Sequence, residues 1–484
     1  MFKTLLNNSL FFIAGIALIS LLMHLPVFNR DLVGVHVWRQ SQTQINIENF
    51  AYHDFNILNT KSYNMNNPDQ VLRYEFPLMQ WVFACFYKLF GNHIFISRFL
   101  SFIIGLFSVY GIYKLLGHLF SSRWLSMAGA WAFSFSPVFY YYTVNPLPDN
   151  LALCTGIWSL YHFFSFIGLK RNKNLVFSFF FLLLATLSKL PFILYGIPWL
   201  LYFIKNIRLS PKNVLFKVGL STLFLSPALA WYYWVIPQWE GNGIVKGILD
   251  TRQSGAEIFH ILQSNLISTL PELLVNYGSL LFFLTGLFFA LKIKPFRHPM
   301  GTYLAFLGTG LLLYFFFEMN MIGTVHDYYL FPFLPLLFIL VTYGIRQLTG
   351  QRRVWLRYFS YFCLLILPLT AFLRINQRWN TVEPGFNKDL LLYKKELRTC
   401  TPPSALCIAG NDNSAQIWPY YLGKRCWNFY GNYFSEDYFN KAYNGGARYL
   451  YSDSREIENY TFVQAKLKGL ILQKGSIRVW ELKE

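Results

Sequence analysis

Charge is what this chain has least of: only 13% of its 484 residues are Asp, Glu, Lys or Arg, and only 23 are acidic. Soluble globular domains carry about a quarter charged residues, so the deficit excludes an ordinary water-soluble fold. Cysteine is scarce too, at six. Cys85, Cys154 and Cys363 stand in apolar surroundings, where a thiol packs as a small hydrophobe. Cys400, Cys407 and Cys426 lie close enough in sequence for one disulfide, which leaves one thiol over. Metal-ligand spacing, a glycine-rich phosphate loop and an internal repeat are all missing. These absences set aside a disulfide-framed secreted domain, a zinc module and a nucleotide-dependent enzyme.

What is abundant is apolar: 54% hydrophobic residues, with aromatics at 20%. They fall in blocks of roughly 17 to 25 residues, long enough to cross the ~30 Å hydrocarbon core as helices, the conformation that satisfies its own backbone in lipid. The fold class is a polytopic α-helical membrane protein with about eleven transmembrane helices. The spans lie near 10–28, 98–119, 124–143, 150–169, 176–189, 192–204, 214–236, 274–291, 302–318, 330–344 and 358–375. The first follows Lys3, as a signal peptide would. No small-residue cleavage site follows it, and the later spans make it a retained anchor.

Alternating the loops between two sides gathers the cations on one of them: Lys114 and Arg123, Lys170 to Lys173, Lys205 to Lys212, Lys292 to Arg297, and Arg346 to Arg357. That is the positive-inside pattern, and every Asp and Glu falls on the other side. The N-terminus is therefore expected in the cytoplasm and the C-terminal hundred residues outside. The net charge of +19 is spread over these cytoplasmic loops, where anionic headgroups account for it, so nucleic acid is not an expected partner.

The opposite face carries the polar residues. The first outer loop, 29–96, is long for a connection between spans and holds DLVGVHVWRQSQTQ from Asp31 and YEFPLMQW from Tyr74. Two apolar-rich segments within it, 41–52 and 76–90, are expected as helices in the interface plane, with Trp38 and Trp81 at headgroup level. Asp149 follows Pro148 at a helix start, where capping competes with function. Lys189 ends a span with no acidic neighbour in sequence, either snorkelling or holding an anion such as a lipid phosphate. His326, Asp327, Tyr328 and Tyr329 open the tenth span; the tyrosines fit an interfacial belt, and the His–Asp pair suits phosphate, sugar hydroxyls or a proton. A loop over 237–271 with Trp239, Glu240, Asp250, Arg252 and His260 reads as a groove cover or a plain connector.

In their order and sidedness, the WRQ from Trp38, the EFPL from Glu75, the Asp opening the fourth span, the Lys closing the fifth and HDYYLFPFLP from His326 resemble the GT-C glycosyltransferases. The nearest branches are the protein O-mannosyltransferases and the lipid A aminoarabinose transferases, in the bacterial group that carries WRQ in this loop. The resemblance covers about residues 1–375. It implies transfer of a sugar from a polyprenyl-phosphate donor to an acceptor hydroxyl with inversion, at the periplasmic face of a bacterial cytoplasmic membrane. The acceptor would be a glycan, a lipid or a protein, and membrane lipid a further partner. The family's acidic pair in the first loop is replaced here by Arg39 and Gln40, a second acidic position by Gln42, and a basic position before the proline by Phe76, with Arg73 near. Such chemistry needs cations for the leaving phosphate and a base for the acceptor proton. Arg39, Arg73, Lys189 and His326 suit the first, with Gln40, Gln42, Asp327, Tyr328 and Tyr329 around the donor. Asp149 or Glu75 suits the second, with Asp31 and His36 behind them. No cofactor is expected, and a divalent metal is not favoured.

After 375 the composition turns mixed. SALCIAG from Ser404, RYLYSD from Arg448 and IRVWEL from Ile477 read as strands, and 414–422 as helix, giving a small α/β domain over 376–484 beside the membrane domain 1–375. Acceptor binding is the expectation for it. Tyr420, Trp427, Tyr430 and Tyr433 serve either its core or sugar stacking. Two other classes stay open: a transporter or flippase of a lipid-linked saccharide, which would place polar groups at the midplane, and an inactive relative that only binds lipid-linked glycan.

Overall fold

The computed structural model describes residues 9–67, 69–239, 247–250, 253–292, 299–323 and 326–483. The chain divides into two compact units. One takes the chain up to Phe28, Tyr74–Met79 and Arg98–Asn376; the other takes Asn29–Arg73, Gln80–Ser97 and Gln377–Glu484. The first outer loop, expected within the membrane domain, thus belongs largely to the same unit as the C-terminal residues.

Apart from the one-turn helix Met319–Ile322, the described α-helices up to residue 375 are, in order, α1 (Ser9–Phe28), α2 (Val37–Tyr52), α3 (Leu78–Phe90), α4 (Ile94–Phe120), α5 (Arg123–Ser134), α6 (Pro137–Tyr142), α7 (Pro148–Leu169) and α8 (Asn172–Ser188). They continue with α9 (Ile197–Asn206), α10 (Pro211–Val235), α11 (Gly255–Ser264), α12 (Tyr277–Lys292), α13 (Pro299–Phe317), α14 (Leu334–Thr349) and α15 (Val354–Ile375). Among the described residues seven helices are long and apolar enough to cross a membrane, and a pair bent by 114° between Leu274 and Tyr277 makes an eighth.

The other expected spans fall on shorter or interrupted helices for identifiable reasons. The stretch 124–143 breaks between α5 and α6 because Pro137 keeps Ser136 out of the helical region, at φ −57°, ψ 121°. After α8, Lys189 is extended and a 3₁₀ turn, Leu190–Gly196, leads into α9. The 114° corner turns on Asn276, which adopts φ 75° and is 1% exposed. Its amide donates to Phe135 O at 2.9 Å and its Oδ1 accepts from Gly278 N at 3.0 Å, so the buried corner is satisfied. In the loop 237–271, α11 starts with a capping box, Ser254 with Glu257, and a π-helix, Asn265–Leu274, follows. Glu240 and Arg252 lie outside the described residues.

In the second unit, all of α2 but Trp38 and Tyr52 is buried. The expected helix over 41–52 is present and begins four residues earlier, at Val37. Several of its polar side chains are paired: Gln44 with Tyr87 Oη (2.9 Å) and Ser97 (3.0 Å), and Asn46 and Asn49 both donating to Lys61 O. The C-terminal part adds α16 (Lys388–Leu392), α17 (Lys394–Thr399), α18 (Ile417–Leu422), α19 (Glu436–Asn444), α20 (Arg455–Glu458) and α21 (Thr461–Gln464). These surround a five-stranded sheet of β1 (Cys407–Gly410), β2 (Cys426–Phe429), β3 (Tyr449–Ser452), β4 (Leu467–Lys474) and β5 (Ile477–Leu482), in the order β2-β1-β3-β5-β4.

Strands β1, β2 and β3 are parallel, and β5 and β4 antiparallel. Alternate residues face opposite sides. Cys407, Ala409 and Tyr451 pack with α18 and with Leu32, Val37 and Ile45 of the first loop, while Ile408 and Leu450 pack with Phe439, Ile457 and Val463. Three expected strands are present, and β2 and β4 are additions. Cys407 and Cys426 are register partners, yet all six cysteines are free thiols, so the possible disulfide does not form.

Candidate active site

The predicted residues fall into two groups, one in each unit. In the first, the turn before α7 is built by amides: Asn145 Nδ2 donates to Tyr141 O, and Asn150 Nδ2 to Tyr142 O and Asn145 O, each at 2.8 Å. Arg98, fully buried, donates through Nη1 to Val144 O (3.0 Å) and Asn145 Oδ1 (2.6 Å). The helix cap falls on Leu147, which has no capping side chain, and Asp149 sits inside the first turn. Asp149 is therefore not the cap. Its Oδ1 lies 3.3 Å from Lys189 Nζ, and the aspartate is 1% exposed. Lys189, without an acidic neighbour in sequence, has one in space.

The extended Lys189 also carries its ammonium over the rings of Tyr328 and Tyr329, at 5.5 and 5.0 Å. Asp327, 3% exposed, accepts from Tyr142 Oη at 2.8 Å. His326 Nδ1 is 2.7 Å from Met321 O, so that nitrogen carries the proton it donates. Glu75 is buried on a stretch pinned at both sides: Phe76 N donates to Leu187 O (3.0 Å), and Trp231 Nε1 to Tyr74 O (3.2 Å). Asp149, Lys189, Asp327, Tyr328 and Tyr329 thus stand together where α7 begins, α8 ends and the tenth expected span opens, with the Glu75 stretch bonded to the end of α8.

Sequence reading missed Glu318. It is 7% exposed, its Oε2 is buried with no hydrogen-bond partner among the described residues, and the charge of Lys189 reaches it. A lone carboxylate closing the apolar run FFFE was the available signal.

In the second unit, Asp31 accepts from Lys394 Nζ (2.5 Å), Tyr420 Oη (2.6 Å) and its neighbour Leu32 N (2.8 Å). Burial alone would raise its carboxyl, but Lys394 and Tyr420 hold it below the usual carboxylate range. Burial also brings the Lys394 ammonium down despite Asp31. The carboxylate's direction is the firmer one, because three donors converge on it. Arg39 donates to Gln42 Oε1 (2.5 Å), Gln40 to Val35 O (3.1 Å) and Arg73 to Leu58 O (2.9 Å). His36 is buried at φ 56°, just before α2.

Cavities open in this unit among the described residues. One, of about 500 Å³, is lined by Asp31, Gln44, Glu48, Asn92, Lys394 and Arg398; Glu48 there has its carboxyl raised by burial against the pull of Arg398. Another, of about 620 Å³, includes His36, Trp38 and Trp418. Of the four aromatics weighed for sugar stacking, Tyr420 and Trp427 are buried in the core, and Tyr430 and Tyr433 are exposed. Among the described residues no three His, Cys, Asp or Glu side chains converge to hold a metal ion.

Residues 74–234, a third of the chain, match the family described as dolichyl-phosphate-mannose-protein mannosyltransferase. No curated protein matches the chain in sequence. Among solved structures, ArnT from Cupriavidus metallidurans in the apo state superposes with a TM-score of 0.65 at 14% identity, over 98% of this chain and 97% of ArnT. The same protein bound to undecaprenyl phosphate gives 0.66 at 13% identity, with the same coverage. The apo oligosaccharyltransferase of Archaeoglobus fulgidus gives 0.60 at 12% identity, over 92% of this chain and 69% of that one. Likeness end to end at such low identity is likeness of architecture: the chain has the multi-pass membrane fold of the GT-C glycosyltransferases, built as in ArnT.

Proposed function

We infer that this protein transfers a sugar from a polyprenyl-phosphate donor to an acceptor hydroxyl, with inversion, at the periplasmic face of a bacterial cytoplasmic membrane. The observation that carries the reading is the pair of half-buried Lys189 and buried Asp149, with the ammonium over the rings of Tyr328 and Tyr329, a cation fixed at one end of the helices of a GT-C fold. That ArnT, of the same fold, was solved with undecaprenyl phosphate supports the donor class.

In the proposed step the acceptor oxygen attacks the anomeric carbon, the bond from that carbon to the phosphate oxygen breaks, and the acceptor proton passes to a carboxylate. Lys189 meets the charge that grows on the leaving polyprenyl phosphate, and one displacement inverts the carbon. Asp149 or Glu75 takes the proton, with Glu318 a third candidate in the same group; His326 and Asp327 flank the donor. Arg39, Gln40, Gln42, Arg73, Asp31 and His36 belong to the second unit, and the proposed step is written without them. The proposal assigns no metal and no cofactor.

The test is release of free polyprenyl phosphate from a panel of labelled polyprenyl-phosphate sugars by the full chain, beside Lys189→Ala, Asp149→Asn, Glu75→Gln and Glu318→Gln. Wild type is expected to release it. Lys189→Ala and whichever carboxylate variant removes the base are expected to fall by about 10²–10⁴-fold while still binding lipid. Tight lipid binding with no release from any donor would move the protein to the transporter or inactive-relative class.

A further inference from the structure

The winding of the C-terminal sheet marks a second site. From β1 the chain moves to β2 on one side, then crosses back to β3 on the other, so β1 and β3 are neighbours whose connections leave in opposite directions. The connection after β1 leads to α18 on one face; the one after β3 leads to α20 and α21 on the other, as the two core clusters show. Parallel strands whose connections part in this way leave a crevice beyond their carboxyl ends, the switch point at which open α/β sheets bind ligands. The 620 Å³ cavity lies there: its lining takes the turn after β1 and Asp453 just after β3.

The lining indicates what fits. Among the described residues no Lys or Arg contributes to it, in a chain of net charge +19, so a phosphate or another anion has no lysine or arginine as counter-charge there. Asp412 is occupied by backbone, accepting from Ile417 N (2.8 Å) and from Ser414 N (2.8 Å) and Oγ (2.7 Å). The lining offers a ligand an amide and a carboxylate: Asn413, exposed and with no side-chain hydrogen bond to a described residue, and Asp453, held by Asn387 at 2.8 Å, beside His36 and Asn411. Trp38, half-buried, and Trp418, buried, both line it. Carboxylates and amides accept and donate to hydroxyls, and an indole face packs against the apolar face of a sugar ring.

We propose that this cavity is a binding site for a neutral saccharide, the acceptor glycan of the reaction inferred above. The proposal rests on that reading for the word acceptor; the saccharide site stands without it.

The experiment uses the full chain in nanodiscs with methyl α-mannoside, methyl α-glucoside and methyl β-galactoside as probes, read by saturation-transfer NMR. Asn413→Lys fills the mouth from an exposed position, and Asp453→Asn keeps shape while removing charge; unfolding temperature checks that both fold. At least one glycoside is expected to bind wild type, and affinity is expected to fall at least tenfold in both variants, with donor hydrolysis in the absence of acceptor unchanged. Binding by neither wild type nor variants, or binding equal in all three, overturns the site. Saccharide binding lost in the variants, with no donor turnover by wild type, keeps the site and overturns only the transferase.

Discussion

Asp149 is buried 3.3 Å from the half-buried Lys189, and each makes the other's charge tolerable. Removing the lysine takes the nearest cation from a buried carboxylate, so Lys189→Met is expected to cost about 1–3 kcal/mol, below the full cost of breaking a buried pair because the lysine is half-buried, and more than the double replacement Lys189→Met with Asp149→Leu; unfolding in detergent followed by intrinsic fluorescence measures both. Asp31 predicts a pH dependence of known sign. Its folded pKa is below the unfolded value, so its stabilisation is fully present above about pH 5 and is lost as pH falls through the folded value. Unfolding temperature should drop on acidification in wild type, and less steeply in Asp31→Asn. Both charges of the first pair were legible as lone ionisable residues at span ends. Their pairing was not, since no pattern in sequence links residues on different helices. Asp31 was legible as an acid of the outer loop, but its pairing with Lys394 and Tyr420 was not, because they stand more than 360 residues away.

Elements were legible wherever composition alone decides them, as in the long apolar helices α4, α7 and α10. Their interruptions needed local chemistry: Pro137 was visible, while the turn at Asn276 is set by hydrogen bonds to Phe135 and Gly278. Strand β2 is four residues, CWNF, too short to show alternation, and β4 carries Gly469 within a run that reads as mixed. One contact makes a sharp prediction. A Cβ on Gly286 would lie 1.9 Å from Leu340 O, and one on Gly344 1.8 Å from Phe282 O, so α12 and α14 cross on a pair of glycines. Gly344→Ala is expected to destabilise by about 1–3 kcal/mol or more, because backbone, not a movable side chain, occupies the space. The same change at Gly219, whose Cβ would meet nothing within 4 Å, should be neutral or mildly stabilising. Thermal unfolding of the two variants side by side decides it.

At the scale of the whole chain, the second unit limits what a truncation can test. Leu32, Val37, Ile45 and Tyr63 from the first loop share one core with Leu390, Trp418, Tyr421 and Val479. Deleting the chain after Val382 therefore exposes that core rather than removing a separable module. The truncated protein is expected to be cleaved within 29–73 by a protease dilution that leaves the full chain intact; equal resistance would mean the loop is stable alone. With all six cysteines free, reductant should leave the unfolding temperature of the full chain unchanged.

The joining of Asp31 to Tyr420 also has a consequence in time. Their 389-residue separation must be synthesised before the hydrogen bond can form. At about 5–20 residues per second, the ribosome takes roughly 20–80 s to deliver the second partner after the first. Through that interval α2, with its buried Arg39, Gln42 and Glu48, has emerged without α18 to cover it. The nascent chain must hold a polar, unburied helix in waiting while the later helices are still being made, and mutations that weaken the C-terminal sheet should first appear as failures of biogenesis.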